Sequence, residues 1–391
     1  MSMSMWESDS RAAADTVALG RPTTGAAELA AVAEVLASGW LSGAGPACHR
    51  FEERFAAVTG TSAALATSSC GAALHLALSV LGAGPGDEVV VADYTFPATG
   101  HAVVWTGATP VFADVRADVW TADPDAVAAA IGPRTVGIVA VDAFGQPADH
   151  DELRALADRH GLWTVEDAAC AAGAEYRRRP AGSLADVATF SFHGRKGITA
   201  GEGGALTSGR ADLVERARKL HTYGIAPAIA RSDAELVVPE FDEAGHNYRL
   251  SDVAAAIMGV QLDRLPDLLA ARRRVAAAYG ALLGGLEQLA LPVELPDRRT
   301  AWQSYVVTLD PALDRGAVAA ALRAAGVQCT FGTYACHRQP VYGSAAHCPV
   351  SAHLADHQLA VPMHADLTDA QVSRVAETLT AAVSDKESAR T

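Results

Sequence analysis

Residues 191–204 read SFHGRKGITAGEGG, and this stretch decides how the rest of the chain is interpreted. It begins within an apolar run, residues 187–192, that we predict to be a β-strand, and it ends in a glycine-rich turn. It contains Lys196, one of only three lysines among the 31 basic residues. A lysine amine placed where a strand ends can form a Schiff base with a carbonyl compound. A lone lysine in a loop is more often a solvated side chain. The neighbouring sequence therefore decides whether Lys196 is a candidate catalytic residue.

Short apolar runs alternate with helical patterns on both sides of this stretch. The predicted strands are residues 63–66, 88–92, 110–113, 136–141, 163–165, 187–192 and 203–207. The predicted helices are residues 25–39, 51–58, 71–81, 98–105, 124–131, 151–160, 212–221 and 251–264. This alternation is typical of an α/β fold, in which helices cover both faces of a mostly parallel sheet.

The chain is predicted to divide into three parts. Residues 1–20 are polar and alanine-rich, which indicates a flexible N-terminal arm. Residues 21–265 form the large domain, and Pro266 is expected to open another helical run that leads out of it. Residues 266–391 form a smaller α+β domain, with strands at 305–309 and 327–331, a helix at 317–325 and a last helix from Asp369.

Composition excludes several classes of protein. The chain has 391 residues, 50% of them hydrophobic, so it is long enough to bury a large core. Its net charge of −14 disfavours a nucleic-acid or membrane-surface coat. We find no apolar run of about 20 residues that would span a membrane and no signal peptide at the start. The six cysteines have no paired spacing, which predicts reduced thiols in a cytoplasmic protein.

Three other motifs carry little weight. Residues 82–91, GAGPGDEVVV, follow a predicted helix and open a strand, the reverse of a dinucleotide-binding loop. His353 and His357 are spaced like two metal ligands, but no further ligands complete a site, so we predict no metal. Residues 177–179, three arginines in a row, are expected at the solvated tip of a hairpin.

Two further segments give Lys196 a context. VEDAAC (165–170) places Glu166 and Asp167 at the end of a predicted parallel strand, where a carboxylate can keep a pyridine nitrogen protonated. ATSSCGAALHLAL (66–78) predicts a helix that begins near Cys70 and Gly71, and a helix N-terminus binds phosphate. Each signal is weak alone. Together they describe an enzyme of the aspartate-aminotransferase type that uses pyridoxal 5′-phosphate (PLP).

From about residue 19 to residue 379 the chain resembles the DegT/StrS family of PLP-dependent nucleotide-sugar aminotransferases. The resemblance rests on ordered blocks: SGWLSGAGP (38–46), FEERFA (51–56), GDEVVVADYTFPAT (86–99), GATPVFADV (107–115), VEDAAC (165–170), SFHGRKGITAGEGG (191–204) and HNYRLSDVAAAIMGVQLDRL (246–265). It implies the PLP fold type I, with a seven-stranded sheet in the large domain, and a homodimer whose active site lies at the subunit interface.

The resemblance also implies roles for individual residues. Lys196 stands where the family has its Schiff-base lysine, and Asp167 where it has the acid that pairs with the pyridine nitrogen. Phe96 corresponds to the aromatic residue that stacks on the cofactor ring, and Ser191 to the hydroxyl that binds its phosphate. Asn247 matches an asparagine that reaches the phosphate from the partner subunit.

The chain departs from the family pattern at two places. The first phosphate turn reads Ser69-Cys70-Gly71 instead of containing a Gly-Thr pair, but backbone amides there still suit phosphate. Cys170 replaces the Gln or His that usually follows the Asp-Ala-Ala triplet, which removes a hydrogen-bonding partner near the ring hydroxyl or the substrate and leaves more than one acceptor class open. The candidate substrate contacts are Trp40, Cys170, His193, Arg249, His337 and Arg338.

The implied reaction is a ping-pong transamination. Lys196 holds PLP as a Schiff base, and an amino-acid donor, glutamate or glutamine, displaces the lysine and leaves its amino group on the cofactor. The resulting pyridoxamine 5′-phosphate passes the amino group to a nucleotide-linked keto sugar. A cyclitol, or another ketone or aldehyde of secondary metabolism such as antibiotic biosynthesis, is an alternative acceptor. Sugar dehydratases of the family carry His in place of the lysine, so Lys196 argues against that activity. A non-catalytic protein that binds PLP or a sugar is a third alternative.

Overall fold

The computed structural model describes residues 16–225 and 240–385. Its helices are α1 (Ala26–Ser38), α2 (Pro46–Thr59), α3 (Cys70–Val80), α4 (Ala98–Trp105), α5 (Pro124–Ala130), α6 (His150–His160), α7 (Ala211–Leu220), α8 (Asp252–Leu283), α9 (Arg315–Ala324), α10 (Pro349–His357) and α11 (Asp369–Ser384). Its strands are β1 (Ala63–Thr67), β2 (Glu88–Ala92), β3 (Tyr94–Thr95), β4 (Thr109–Ala113), β5 (Thr135–Val141), β6 (Trp163–Asp167), β7 (Glu175–Tyr176), β8 (Arg179–Pro180), β9 (Val187–Ser191), β10 (Gly204–Ser208), β11 (Leu289–Ala290), β12 (Arg298–Arg299), β13 (Tyr305–Leu309), β14 (Thr330–Phe331), β15 (Tyr334–Ala335) and β16 (Gln358–Val361).

The predicted strands of the large domain form one seven-stranded sheet. Its order is β1-β10-β9-β6-β5-β2-β4. The strands from β9 to β4 pair in parallel, whereas β10 runs antiparallel to both of its neighbours. The inner strands are buried along almost their whole length because helices cover both faces, which explains their continuous apolar sequences. The α/β prediction is therefore confirmed.

Helix α3 begins where β1 ends. Ser69 is its N-cap residue, and its side-chain oxygen accepts a hydrogen bond of 3.1 Å from the backbone amide of Ala72. The helix then buries nearly every residue against the sheet and α4. This local signal places the first turn of α3 at the edge of the sheet where the parallel strands also end.

Helix α8 is longer than predicted. We expected a helix to end before Pro266 and a new one to open there, but α8 continues from Asp252 to Leu283 through the proline. A proline removes one backbone hydrogen bond, and the apolar side chains packed on either side of it, Leu262, Leu265, Leu268 and Leu269, outweigh that loss. The predicted domain boundary at 265/266 falls inside this helix, so the division into domains stays a prediction.

The C-terminal part has its own antiparallel sheet, in the order β11-β13-β16-β14. Helices α9 and α11 and the end of α8 cover it and bury a separate apolar core. Strand β16 was not predicted, because its four residues directly follow helix α10 without a turn signal. Strand β14 is shorter than predicted, since Val327 forms a parallel bridge to Val17 instead.

That bridge also corrects the prediction of a flexible N-terminal arm for the residues next to it. Val17 is 1% exposed, its amide donates to the carbonyl of Gly326 at 2.8 Å, and its carbonyl accepts from Gln328 at 3.0 Å. The chain at this point packs on the C-terminal part because the apolar side chain of Val17 is buried in its core. Residues 1–15 of the predicted arm, and residues 386–391 of the predicted C-terminal domain, lie outside the described residues.

Candidate active site

A cavity of about 380 Å³ opens at the carboxyl ends of the parallel strands. Strands β6 and β9 deliver Asp167 and Ser191 to it, and the turn after β9 delivers Lys196. This is the edge at which ligands bind in open α/β sheets. The sequence-predicted residues that line the cavity are Cys70, Gly71, Phe96, Asp167, Cys170, Ser191, His193 and Lys196.

Lys196 is held in a tight turn and faces a thiol. Its backbone amide donates to the carbonyl of His193 at 2.9 Å, and its Nζ donates to the Sγ atom of Cys170 at 3.1 Å. Burial favours the neutral amine, but the hydrogen bond to Cys170 and the negative charge of Asp167 raise the pKa of Lys196 above its ordinary value. The cavity thus contains an amine that is hydrogen-bonded to the thiol of Cys170.

Asp167 presents a buried carboxylate to the same cavity. Its Oδ2 accepts a hydrogen bond of 2.7 Å from the hydroxyl of Thr99, and its Oδ1 accepts one of 3.1 Å from the backbone amide of Ala169. Burial raises the pKa of Asp167, although both hydrogen bonds oppose the shift. A carboxylate in this environment is stabilised by a cation in the cavity, as a protonated pyridine nitrogen would be.

The start of α3 forms the wall that suits an anion. Among the described residues, the amides of Cys70 and Gly71 have no acceptor, as expected for the first turn of a helix. Gly204 packs directly on this turn, since a Cβ atom at residue 204 would lie 2.5 Å from the carbonyl carbon of Ser69 and 2.6 Å from the amide nitrogen of Cys70. Ser191 adds a hydroxyl to the same cavity. Free amides at a helix N-terminus bind phosphate.

Phe96 supplies an aromatic wall. Its side chain is 64% exposed although it lines the cavity, and its ring contacts Tyr334 edge-on at 5.9 Å. PLP requires four kinds of group around it: an amine, a buried acid, free amides at a helix N-terminus and an open aromatic face. The residues present therefore fit this cofactor.

The other predicted residues lie outside the cavity. Trp40 is 43% exposed, and Asn247 is exposed in a bridge to Thr222. The guanidinium of Arg249 lies 5.3 Å from the ring centre of Tyr223. His337 and Arg338 pair with aspartates. Nδ1 of His337 is 2.7 Å from Oδ2 of Asp93, and Nη1 of Arg338 is 2.8 Å from Oδ1 of Asp356.

Sequence reasoning missed several residues of the cavity wall. Thr99 lies in the family-like block TFPAT, and Arg195 directly precedes the lysine, so both were within reach of the motif argument. Gln303 and Ser304 come from the C-terminal part of the chain. The side-chain amide of Gln303 donates to the carbonyl of Arg195 at 3.1 Å. No local pattern predicts this contact, because 108 residues separate the two partners.

Two clusters in the described part of the chain have the residue types that bind metals: Asp93, His337 and Cys348 in one, and Asp142, His150 and Glu166 in the other. In each, the histidine is already hydrogen-bonded to the aspartate, at 2.7 Å and 2.8 Å. His353 and His357 belong to neither; Nδ1 of His357 lies 2.8 Å from the carbonyl oxygen of His353.

Within the described ranges, no helix combines the length and the apolar character that crossing a membrane requires.

Comparison with known proteins places this site in a family. The model of the DegT/DnrJ/EryC1/StrS aminotransferase family matches residues 22–380. The chain is 39% identical over 291 residues to the spore coat polysaccharide biosynthesis protein SpsC of Bacillus subtilis (strain 168), which covers 74% of this chain and 75% of SpsC.

Two solved structures extend the likeness to the whole fold. DesI, whose crystal structure was analysed in the presence of its TDP-sugar product, is 35% identical with a TM-score of 0.86, covering 95% of this chain and 94% of DesI. The PLP form of the putative sugar aminotransferase Spr1654 from Streptococcus pneumoniae is 25% identical with a TM-score of 0.89, covering 94% of this chain and 99% of that one. These matches indicate an aminotransferase and not a non-catalytic binding protein. The chain therefore belongs to the DegT/DnrJ/EryC1/StrS aminotransferase family, as a PLP-dependent aminotransferase of fold type I.

Proposed function

We propose that this enzyme transfers an amino group from glutamate or glutamine to the keto group of a nucleotide-linked sugar. The reaction runs in two half-reactions, and the keto acid formed from the donor leaves before the sugar enters. The observation that carries this proposal is the meeting of Lys196, Asp167 and the first turn of α3 around one cavity. The TDP-sugar product of DesI supports the acceptor class.

Lys196 is the residue that we assign to covalent attachment and proton transfer. PLP supplies an aldehyde for an amine and an electron sink for the electrons released at the Cα atom of the donor. When the amine of Lys196 is free, it would take the proton from Cα of the donor and pass it to the former aldehyde carbon of the cofactor, so that the amino group stays on the cofactor. Cys170 receives a hydrogen bond from this amine at 3.1 Å and orients it within the cavity.

The remaining cavity residues bind and orient. Asp167 holds a proton at the pyridine nitrogen, and Thr99 fixes the carboxylate through the 2.7 Å hydrogen bond. Phe96 packs on the ring, while Ser191 and the amides of Cys70 and Gly71 hold the phosphate. His193 and Arg195, at the exposed rim, contact the substrate.

We also propose a homodimer in which Asn247 completes the phosphate site of the partner subunit. Asn247 lies outside the cavity of its own chain and is exposed. Helix α1 and the turn after it carry large apolar side chains in contact with solvent: Leu29 at 72%, Leu36 at 57%, Trp40 at 43% and Leu41 at 47% exposure. An exposed apolar patch of this kind marks an interaction surface. Trp40, Arg249, His337 and Arg338 stay candidate contacts of a bulky substrate.

The thiols support a cytoplasmic location. All six cysteines are free, and four of them are buried. Free buried thiols persist in reducing compartments, where disulfides are rare.

The first experiment compares Lys196→Ala with Lys219→Ala, since Lys219 lies in α7 and pairs with Asp242 at 2.6 Å. Purified enzyme is loaded with PLP and given glutamate or glutamine, and the keto acid released in this single half-reaction, at most one equivalent per site, is followed over time. We expect the rate of release to fall by roughly 10³-fold or more in Lys196→Ala, as removal of a covalent catalyst does, and to stay unchanged in Lys219→Ala. Release by Lys196→Ala at the wild-type rate would contradict the assignment.

The second experiment identifies the acceptor. Enzyme that has reacted with the donor carries the amino group on its cofactor. It is separated from the donor and offered a panel of nucleotide-linked keto sugars and keto cyclitols, and the masses of the products are determined by mass spectrometry. Amination of a nucleotide sugar supports the proposal, whereas amination of cyclitols alone would replace it by the alternative acceptor.

A further inference from the structure

A buried acid pair lies directly behind Asp167. Asp142 and Glu166 are both 0% exposed, and their oxygens lie within 4.8 Å of each other and of a nitrogen of His150. Glu166 immediately precedes Asp167 in β6, and the backbone amide of Asp142 donates to the carbonyl of Asp167 at 3.1 Å. Asp142 also lines the cavity. The proposed function gives these two acids no role.

Counting the hydrogen-bond donors around the pair leaves one oxygen without a partner. Oδ1 of Asp142 is 2.9 Å from the amide of Ala148 and 2.8 Å from Nε2 of His150. Glu166 accepts from the amides of Gly182, at 2.9 and 3.0 Å, and Leu184, at 3.1 Å. In the described structure, Oδ2 of Asp142 is buried and has no donor. Two carboxylates this close and this deep cannot both be ionised, so a proton on one of them supplies the missing donor.

Other charges nearby do not neutralise the pair. Arg298 is one candidate, but its guanidinium forms an ion pair with Asp149 and donates to the carbonyl of Pro147 at 2.7 Å. Arg179 is bound in turn by Asp151. Burial lowers the pKa of His150, so its ring stays neutral and donates to Asp142. Burial raises the pKa of both acids, and Asp167 adds further repulsion on Asp142.

We propose that Asp142 and Glu166 share one proton and keep a single negative charge behind Asp167, which strengthens the hold of Asp167 on a protonated pyridine nitrogen. The pair acts as a positioning group through Asp167 and does not touch the substrate. A fixed negative charge at this depth raises the proton affinity of the whole acid–pyridine unit. The effect of the pair on Asp167 rests on the proposed function, because it assumes that Asp167 contacts the pyridine nitrogen.

The shared proton is tested on the cofactor-free protein by infrared spectroscopy. We expect a C=O stretching band of a protonated carboxyl group at neutral pH, which shifts in D₂O. Glu166→Gln and Asp142→Asn each replace one acid by an amide that can donate to the other, so each variant should fold and lose the band. A wild-type protein without the band, or a band that survives in both variants, overturns the proposal.

The positioning role is tested on the PLP-loaded protein by absorbance. Each of the single variants Asp142→Asn and Glu166→Gln keeps one negative charge behind Asp167. Each should therefore leave the pH at which the cofactor absorbance titrates nearly unchanged. The double variant Asp142→Asn/Glu166→Gln removes that charge and should shift the titration downward by roughly one pH unit. The exposed pair Asp125→Asn/Asp158→Asn is the matched control and should give no shift. An unshifted double variant that still folds overturns the role.

Failure of the proposed function would look different. Asp167→Asn should abolish turnover whether or not the pair shares a proton. If Asp167→Asn retained full turnover while the infrared band behaved as expected, the assignment of Asp167 would fall and the shared proton would stand.

Discussion

At the scale of single residues, the reactivity of the site depends on which groups are buried together. Lys196 and Cys170 lie 26 residues apart in sequence, yet their Nζ and Sγ atoms are 3.1 Å apart. Asp167 obtains its hydroxyl donor from Thr99, 68 residues upstream. The chemistry of each side chain therefore follows from a neighbour that its own motif does not contain.

Cys170 should be the thiol that reacts first in the folded protein. Cys48, Cys329, Cys336 and Cys348 are buried, and burial raises the pKa of the Cys70 thiol well above its ordinary value, which makes its thiolate scarce. We expect iodoacetamide to modify Cys170 before the other five cysteines. Saturation with PLP should slow this reaction on the order of tenfold, because the cofactor occupies the same cavity. Peptide mass mapping over time measures both effects, and early labelling of Cys336 or Cys348 would contradict the prediction.

The buried acid pair predicts a direction for stability against pH. Its folded-state pKa values are raised by burial, so the folded protein retains a proton that the unfolded chain releases above an ordinary carboxyl pKa of about 4. Stability from this source is full below that pH and is lost as pH rises through the folded-state pKa values. Urea midpoints of the cofactor-free protein should thus decline less with pH in Glu166→Gln than in wild type. Parallel slopes in the two proteins would exclude a proton at Glu166.

At the scale of elements, the site depends on how tightly β10 packs on the first turn of α3. Gly204 opens β10, and the backbone that joins Ser69 to Cys70 occupies the space that a Cβ atom at this position would need. The pattern of residues 191–204 predicted a glycine-rich turn, but it did not show that one glycine permits the strand to approach the helix. The contact sets the position of the amides that we assign to phosphate.

Gly204→Ala should therefore weaken cofactor binding. The added Cβ atom would lie 2.5 and 2.6 Å from backbone atoms of the turn, which must shift. We expect a loss of stability of about 1–3 kcal/mol, measured by urea unfolding of the cofactor-free protein. The affinity for PLP, measured by fluorescence titration, should fall roughly tenfold or more.

The matched control is Gly197→Ala, one residue after Lys196. A Cβ atom at residue 197 would meet nothing within 4 Å. This variant should bind PLP as wild type does. If Gly197→Ala lost as much PLP affinity as Gly204→Ala, the loss would not depend on the contact with the first turn of α3, and the specific role of Gly204 would be refuted.

At the scale of the whole molecule, residues from the C-terminal part of the chain complete the cavity at the edge of the large sheet. The C-terminal part contributes Gln303 and Ser304 to its wall, and the long helix α8 connects the two parts. Arg272, on that helix, is 3% exposed and donates to the carbonyls of Trp302, Gln303 and Met363. A mutation in the C-terminal part can therefore reach the active site through this wall.

The proposed dimer makes a prediction about mixed subunits. Lys196→Ala and Asn247→Asp should each be impaired as homodimers. In a hybrid, one of the two sites pairs an intact Lys196 with the partner's intact Asn247, so random reassociation should restore about a quarter of wild-type turnover. Steady-state assays after co-refolding measure the recovery, and sedimentation confirms the dimer. No recovery in proven hybrids would show that Asn247 does not act across the interface.

Much of the fold was open to prediction from the sequence, because its signals are local. The apolar runs that become β2 and β5, the N-cap Ser69 and the glycines after β9 act through near neighbours in the chain. The block around Lys196 and the acid at Asp167 identified the chemistry for the same reason. Prediction failed where a distant contact decided the outcome: Pro266 inside α8, Val17 against Val327, and strand β16.

The sequence by itself determined the seven strands of the large sheet, the motif residues that line the cavity and the family resemblance, since these depend on residue type and spacing. The tertiary structure alone decided which side chains meet. It brought Thr99 to Asp167, Cys170 to Lys196, and Asp142 to Glu166. The physical reason is that hydrogen bonds and charge repulsion act over a few ångströms, and strand pairing, not sequence distance, sets those separations.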